Sequence, residues 1–226
     1  MPPSASARLQ IFSDEGDVFQ HTATLITNII RDSLLAIQTS NVIVASGRSV
    51  TQTLSCLSPD ALNWNQVNWF MADERCVDKD EGQRNDRQIR DVLQLILGAK
   101  CGLVIGPRPE IGLQDSVAEY VSRINNIQMF DFCLLGLGDD GHVASLFPGH
   151  RALHASEPCL LILDSPKPPA KRITLGMATL CNSKNRIVVA TGQSKKQAVL
   201  EITNNSQSPL QFFKPTDLIF DLATSQ

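Results

Sequence analysis

Aromatic side chains are scarce in this sequence. Phe, Trp and Tyr make up 5% of its 226 residues, with two tryptophans and one tyrosine, which argues against a platform for stacking the bases of a single strand. A surplus of positive charge is lacking too. Twenty Lys and Arg face 23 Asp and Glu, for a formal net charge of -3, whereas duplex nucleic acid demands a broad basic footprint. No nucleic-acid partner is expected. No apolar run approaches the ~18 residues of a membrane span, and Met1–Gln10 carries no apolar signal-peptide core, so no membrane partner and a cytoplasmic location are expected. The cysteines Cys56, Cys76, Cys101, Cys133, Cys159 and Cys181 lack the close spacing of a zinc site or a redox pair. They read as reduced thiols. What is present is a globular composition, 42% hydrophobic and 19% charged, in a chain long enough to bury about 70% of its unfolded surface.

Hydrophobic periodicity organises the chain as an alternation. Val18, Ile26, Ile29, Ile30, Leu34 and Ile37 recur at helical spacing over 13–38. A short apolar run, 41–45, reads as a strand. Val50, Leu54 and Leu57 come next at helical spacing, then a strand at 67–72 and a helix at 85–97 with Gly98 as its C-cap. Strands at 101–105, 131–137, 159–163, 186–190 and 217–222, with helices at 113–124 and 194–203, continue the pattern. The strand runs are unbroken rather than alternating, as in strands buried on both faces. The expected fold is therefore α/β: an open, mostly parallel, Rossmann-like sheet flanked by helices on both faces. A single domain over 1–226 is expected, with Pro166–Pro169 as a loop.

In such a sheet, ligands bind beyond the carboxyl ends of the strands, and the residues there are polar. Ser46-Gly47-Arg48-Ser49 joins a strand to a helix start, where free N–H groups and the helix dipole favour an anion; an ordinary turn with Ser49 as N-cap explains the same residues. Asp73-Glu74-Arg75 comes directly after 67–72. It reads either as a surface loop or as a cleft in which Arg75 clamps an anion and Asp73 fixes a sugar hydroxyl. Thr191 to Lys195 is a second helix entry, and a lysine there suggests an anionic partner. Gly138-x-x-Gly141-His142 is the sharpest feature. The glycines permit a tight backbone, and His142 is expected at the start of a short helix, 142–147, whose dipole would keep the imidazole neutral and able to accept a proton. His21 reads as structural, and His150 and His154 lie at no strand end.

Together these motifs resemble the 6-phosphogluconolactonase family, within the wider glucosamine-6-phosphate isomerase/deaminase superfamily. FDFCLLGLGDDGHVASLFPG at 130–149 is the most specific part. WFMADERCV at 69–77, Asn85 and Arg87, RITL at 172–175 and TGQSKKQAVL at 191–200 complete the order. The resemblance implies hydrolysis of 6-phospho-D-glucono-1,5-lactone to 6-phosphogluconate, in the oxidative pentose phosphate pathway, without metal or organic cofactor; a monomer is expected. It makes His142 the general base, with Arg75 and Asp73 as further catalytic-site residues. Ser46, Gly47, Arg48, Ser49, Gly141, Arg172 and Lys195 are its expected substrate and phosphate contacts. The sequence also departs from the family pattern. The turn usually reads Ser-Gly-Gly-Ser-Thr, but here Arg48 replaces a glycine and Val50 a threonine, and Arg84 stands where serine is usual. Arg48 either supplies another cation or fills space the substrate needs.

The chemistry of a lactone fits these residues. Its hydrolysis needs an activated water and a stabilised oxyanion. A neutral histidine supplies the first; backbone N–H groups around Gly138–Gly141, or a nearby cation, are candidates for the second. The nearest rival is a hexosamine-6-phosphate isomerase or deaminase, which resembles a branch carrying an acid shortly after the Gly-His element; Ala144 to Pro148 contains none. A non-catalytic sugar-phosphate sensor is the other alternative.

Overall fold

The computed structural model describes residues 7–225. Residues 1–6, within the stretch read as lacking a signal-peptide core, lie outside the described residues. In chain order the elements are β1 (Arg8–Phe12), α1 (Glu15–Ile37), β2 (Ser40–Val44), α2 (Arg48–Ser55), β3 (Val67–Met71), β4 (Asp73–Arg75), α3 (Asn85–Leu97), β5 (Leu103–Ile105), α4 (Leu113–Ile124), β6 (Phe130–Gly136), β7 (Cys159–Ile162), β8 (Arg172–Leu175), α5 (Met177–Cys181), β9 (Ser183–Ala190), α6 (Lys196–Asn204), α7 (Pro209–Phe213), β10 (Asp217–Asp221) and α8 (Leu222–Ser225). Seven strands form one sheet in the order β1-β10-β9-β6-β2-β3-β5, with every pair parallel. This is the expected open α/β architecture.

The unbroken apolar runs are explained by cores on both faces of the sheet. Val42, Val44, Trp69, Met71, Phe132 and Leu134 point to one face, where α1, α2 and α3 contribute Ile26, Leu54 and Ile89. Their sequence neighbours Ile43, Phe70, Cys133 and Leu135 point to the other, with Tyr120 of α4 and Phe213 of α7. Local signals set the helix ends. The Asp14 carboxylate accepts the Asp17 N–H at 3.0 Å at the head of α1, and Gly98, at φ 60°, closes α3. Among the described residues no helix is long and apolar enough to cross a membrane. All six cysteines are free, with Cys133 and Cys159 buried.

Two expectations are corrected, and one strand is added. The run at 159–163 does not join the parallel sheet. As β7 it pairs antiparallel with β8, and β8 with β4, in a second, three-stranded sheet. The charged segment Asp73–Arg75 is thus a strand rather than a loop. The chain changes sheets at Ala72, whose N–H donates to Val44 O of β2 while its carbonyl accepts from Leu175 N of β8, both at 2.8 Å. Strand β1 went unanticipated because it is an edge strand with Leu9 and Ile11 exposed; its register with β10 is supported by Arg8 paired to Asp217 at 2.8 Å.

Candidate active site

Four neighbouring strands, β9, β6, β2 and β3, end on one side of the sheet. The loops that leave them enclose a cavity of about 460 Å³. Ser46, Gly47, Arg48, Ser49, Asp73, Arg75, His142, Arg172 and Lys195 all line it. Of the expected site residues only Gly141 stays off the wall, turning the backbone at φ 82° one residue before His142.

The loop after β6 is closed by its own backbone. Gly138 N donates to His142 O at 2.8 Å and Gly141 N to Gly138 O at 3.1 Å. The expected helix at 142–147 does not form. Val143 and Leu146 instead exchange backbone hydrogen bonds at 3.2 and 2.9 Å across a tight turn, with Ala144 at φ 50°. A residue in the left-handed region breaks helical continuity. No dipole therefore acts on His142. Its neighbour is Asp140, whose Oδ1 lies 2.5 Å from His142 Nδ1 and also accepts the His142 backbone N–H at 3.3 Å. Held this way, a neutral imidazole donates through Nδ1–H and keeps its lone pair on Nε2. Burial works to raise the Asp140 pKa, but the hydrogen bonds from His142, with the Lys167 charge nearby, hold it well below the usual carboxylate range. Phe147 packs on the ring at 4.6 Å between centroids. Gly138 is required by this packing: a Cβ there would lie 2.1 Å from His142 Nδ1 and 2.6 Å from Asp140 Oδ1.

Cations line the cavity from several directions. Arg75 and Arg172 are directly opposed across the β4–β8 pair, an arrangement of like charges that destabilises a ladder unless an anion compensates. Arg172 is buried, and its guanidinium is largely engaged: Nε donates to Pro169 O, and Nη2 to Lys167 O and Pro168 O, at 3.0–3.1 Å. It thereby shapes the proline-rich loop that carries Lys167 to the cavity. Lys167 Nζ pairs with Asp139 and lies 3.5 Å from Asp140 Oδ2. Asp73 accepts the Ser145 hydroxyl at 2.7 Å, which fixes its carboxylate.

Two strand-to-helix turns meet nearby, with Ser49 Oγ 3.3 Å from Thr191 Oγ1. Gly47 and Gly192 at these turns have positive φ, and a Cβ at either would meet nothing within 4 Å. Lys195 stands at the entry to α6; burial lowers its pKa, while the Asp139 charge works against that. Arg48 is not a spare cation: Glu15 holds it in a bidentate pair at 2.8 and 2.6 Å at the rim. The Ser46 hydroxyl donates to Gln88 Oε1 at 2.6 Å.

The model of the family described as glucosamine-6-phosphate isomerases/6-phosphogluconolactonase matches residues 13–221. The chain belongs to this family. A Caenorhabditis elegans relative is 33% identical over 171 residues, 71% of this chain and 63% of that one, so this chain spans under two thirds of that relative's length. The 6-phosphogluconolactonase of Pseudomonas aeruginosa is 28% identical over 219 residues, 92% of each chain. Among solved structures, the 6-phosphogluconolactonase of Thermotoga maritima superposes with a TM-score of 0.84 over 95% of this chain and 99% of its own, at 24% identity; at that identity the likeness is one of fold.

Within the family frame, the structure adds cavity residues that sequence reasoning did not single out as such. Asp139, Lys167, Asn85, Thr191 and Ser194 also line the cavity. Asp140 was legible in principle, since a carboxylate two residues before a strand-end histidine is within reach of its ring. Lys167 had a weaker signal, a lone cation inside Pro166–Pro169. Asn85 is buried and donates to Asp73 O at 3.1 Å, a contact that only the return of α3 to β4 creates.

Proposed function

We propose that this chain hydrolyses 6-phospho-D-glucono-1,5-lactone to 6-phosphogluconate. The observation that carries the reading is the His142–Asp140 pair in a cavity otherwise dominated by Arg75, Arg172, Lys167 and Lys195. His142 Nε2 takes a proton from water as the water oxygen attacks the lactone carbonyl, a role worth about 10²–10⁴-fold. Asp140 fixes the tautomer and stabilises the imidazolium that forms. Collapse of the tetrahedral intermediate breaks the bond to the ring oxygen, which receives the proton back from His142. The N–H groups of Gly138 and Gly141 are engaged within their own loop, and the reading assigns the oxyanion to the cavity cations. Lys195 and the paired turns at Gly47 and Gly192 suit the phosphate, whose binding orients the carbonyl.

The family name also covers isomerases, which move protons between adjacent carbons. Residues 144–148 offer no acid for that, and the cavity carboxylates Asp73 and Asp139 are held by Ser145 and Lys167. This supports hydrolysis. The reading takes the chain as one domain acting as a monomer, and as cytoplasmic, in keeping with six free thiols. The test follows freshly made lactone against its spontaneous hydrolysis, beside a deaminase assay with glucosamine 6-phosphate. Lactone loss well above the spontaneous rate with no ammonia release is expected; the reverse outcome assigns the chain to the other branch.

A further inference from the structure

A second cavity, of about 520 Å³, lies beyond the carboxyl end of the edge strand β5, between the first turns of α3 and the last turn of α4. Its wall carries six cations, Lys79, Arg84, Arg87, Arg90, Arg108 and Arg123, against three acids, Asp80, Asp86 and Glu110. In a chain of net charge -3 the wall itself is thus cationic, with Glu74, Asp91 and Glu119 behind it pairing with Arg84, Arg87, Arg108 and Arg123. Arg84 forms a buried base, side chain 2% exposed, fixed by Glu74 at 3.5 Å, Asp86 at 3.1 Å and Glu110 at 3.1 Å.

The rim arginines are oriented but not saturated. Arg108 and Arg123 share one carboxylate, Glu119, at 3.4 and 2.7 Å. Arg90 leans on Asp86 at 3.3 Å, which Arg84 already uses. Each guanidinium has five N–H donors, so these pairs leave most of the rim donors unused. Lys79 makes no ion pair among the described residues. A multivalent anion in the concavity would engage the guanidinium donors that these pairs leave unused. The volume is that of a small-molecule site rather than a protein-docking face, and clustered guanidinium groups match phosphate oxygens in bidentate fashion.

The geometry points to a second binding site, separate from the lactone cavity, for a small anion bearing more than one phosphate group. The two cavities are neighbours. Asn85 lines the first, while Arg84 and Asp86 on either side of it line the second.

Inorganic pyrophosphate is a suitable probe, titrated calorimetrically into the full chain at constant ionic strength. Wild type is expected to bind it, and Lys195→Ala, altered only in the first cavity, to keep that binding event. The Arg108→Gln/Arg123→Gln pair is expected to weaken it by about a hundredfold while lactone turnover and melting temperature stay near wild type. Should that double variant fail to fold, Arg90→Gln, expected to weaken binding by about tenfold, gives the same readout from α3. Sulfate at equal ionic strength should compete poorly. Absence of pyrophosphate binding in wild type, loss of all binding in Lys195→Ala, or unchanged binding in a folded rim variant would each overturn the site.

Discussion

Replacing Gly138 by alanine tests whether the His142–Asp140 pair does the chemistry. The backbone at Gly138 is not in the left-handed region, so alanine fits the chain itself and the whole effect falls on what its methyl group meets. That group would stand 2.1 Å from His142 Nδ1, 2.4 Å from His142 Cε1 and 2.6 Å from Asp140 Oδ1. Ordinary contact begins near 3.4 Å, so the ring must retreat by on the order of 1 Å, which costs about 10²-fold when a reacting group is misplaced. Losing the Asp140 contact as well takes the expected fall in kcat toward 10³-fold, inside the range of about 10²–10⁴ for a general base. The cations that would hold the phosphate are untouched, so KM should move little. Stopped-flow assay of lactone hydrolysis, corrected for the spontaneous rate, reads kcat, and thermal melting confirms the fold. A folded Gly138→Ala protein with near wild-type turnover would refute the placement of the base.

Three further outcomes are expected. Asp140→Asn keeps the size of the partner but removes its charge and permits the wrong imidazole tautomer, so kcat should fall about 10²–10⁴-fold with KM nearly unchanged, read in the same assay. Burial lowers Lys195 from the ordinary 10.5. A bound phosphate restores the charge, so binding of 6-phosphogluconate should take up protons at alkaline pH and weaken as pH rises; calorimetry in two buffers of different ionisation enthalpy detects the uptake, and Lys195→Ala abolishes it. Burial and the neighbouring Asp86 carboxylate push Glu74 up to about 8 from 4.5. The folded state therefore holds a proton that the unfolded state releases, and stability falls as pH rises from about 4.5 to about 8, then levels. Glu74→Gln should flatten that slope by up to about 1.4 kcal/mol per pH unit, measured by urea unfolding across the interval.

Most of the parallel sheet was legible because its strands are buried on both faces. Runs such as 131–137 carry apolar residues at nearly every position, as a strand between two cores requires. The second sheet was obscure for the opposite reason. Three residues, Asp73–Arg75, carry charge, and their strand character comes from pairing with Arg172–Thr174, about a hundred residues away. The site clusters were readable as polar residues at the strand ends, but their internal chemistry was not. The turn at Ala144 replaced the expected helix, so the partner of His142 is a carboxylate rather than a dipole. Arg48 and Arg172 looked alike as spare cations. Only packing shows one tied to Glu15 and the other to three backbone carbonyls of the loop bearing Lys167.

We propose that His142 activates water in this cavity. The most direct test of this is the rate of 6-phosphogluconolactone hydrolysis by His142→Ala beside wild type, with binding of 6-phosphogluconate as the control for an intact site. Wild type should run far above the spontaneous rate, and His142→Ala should fall by about 10²–10⁴-fold while still binding 6-phosphogluconate. A variant that hydrolyses the lactone as fast as wild type would contradict the account.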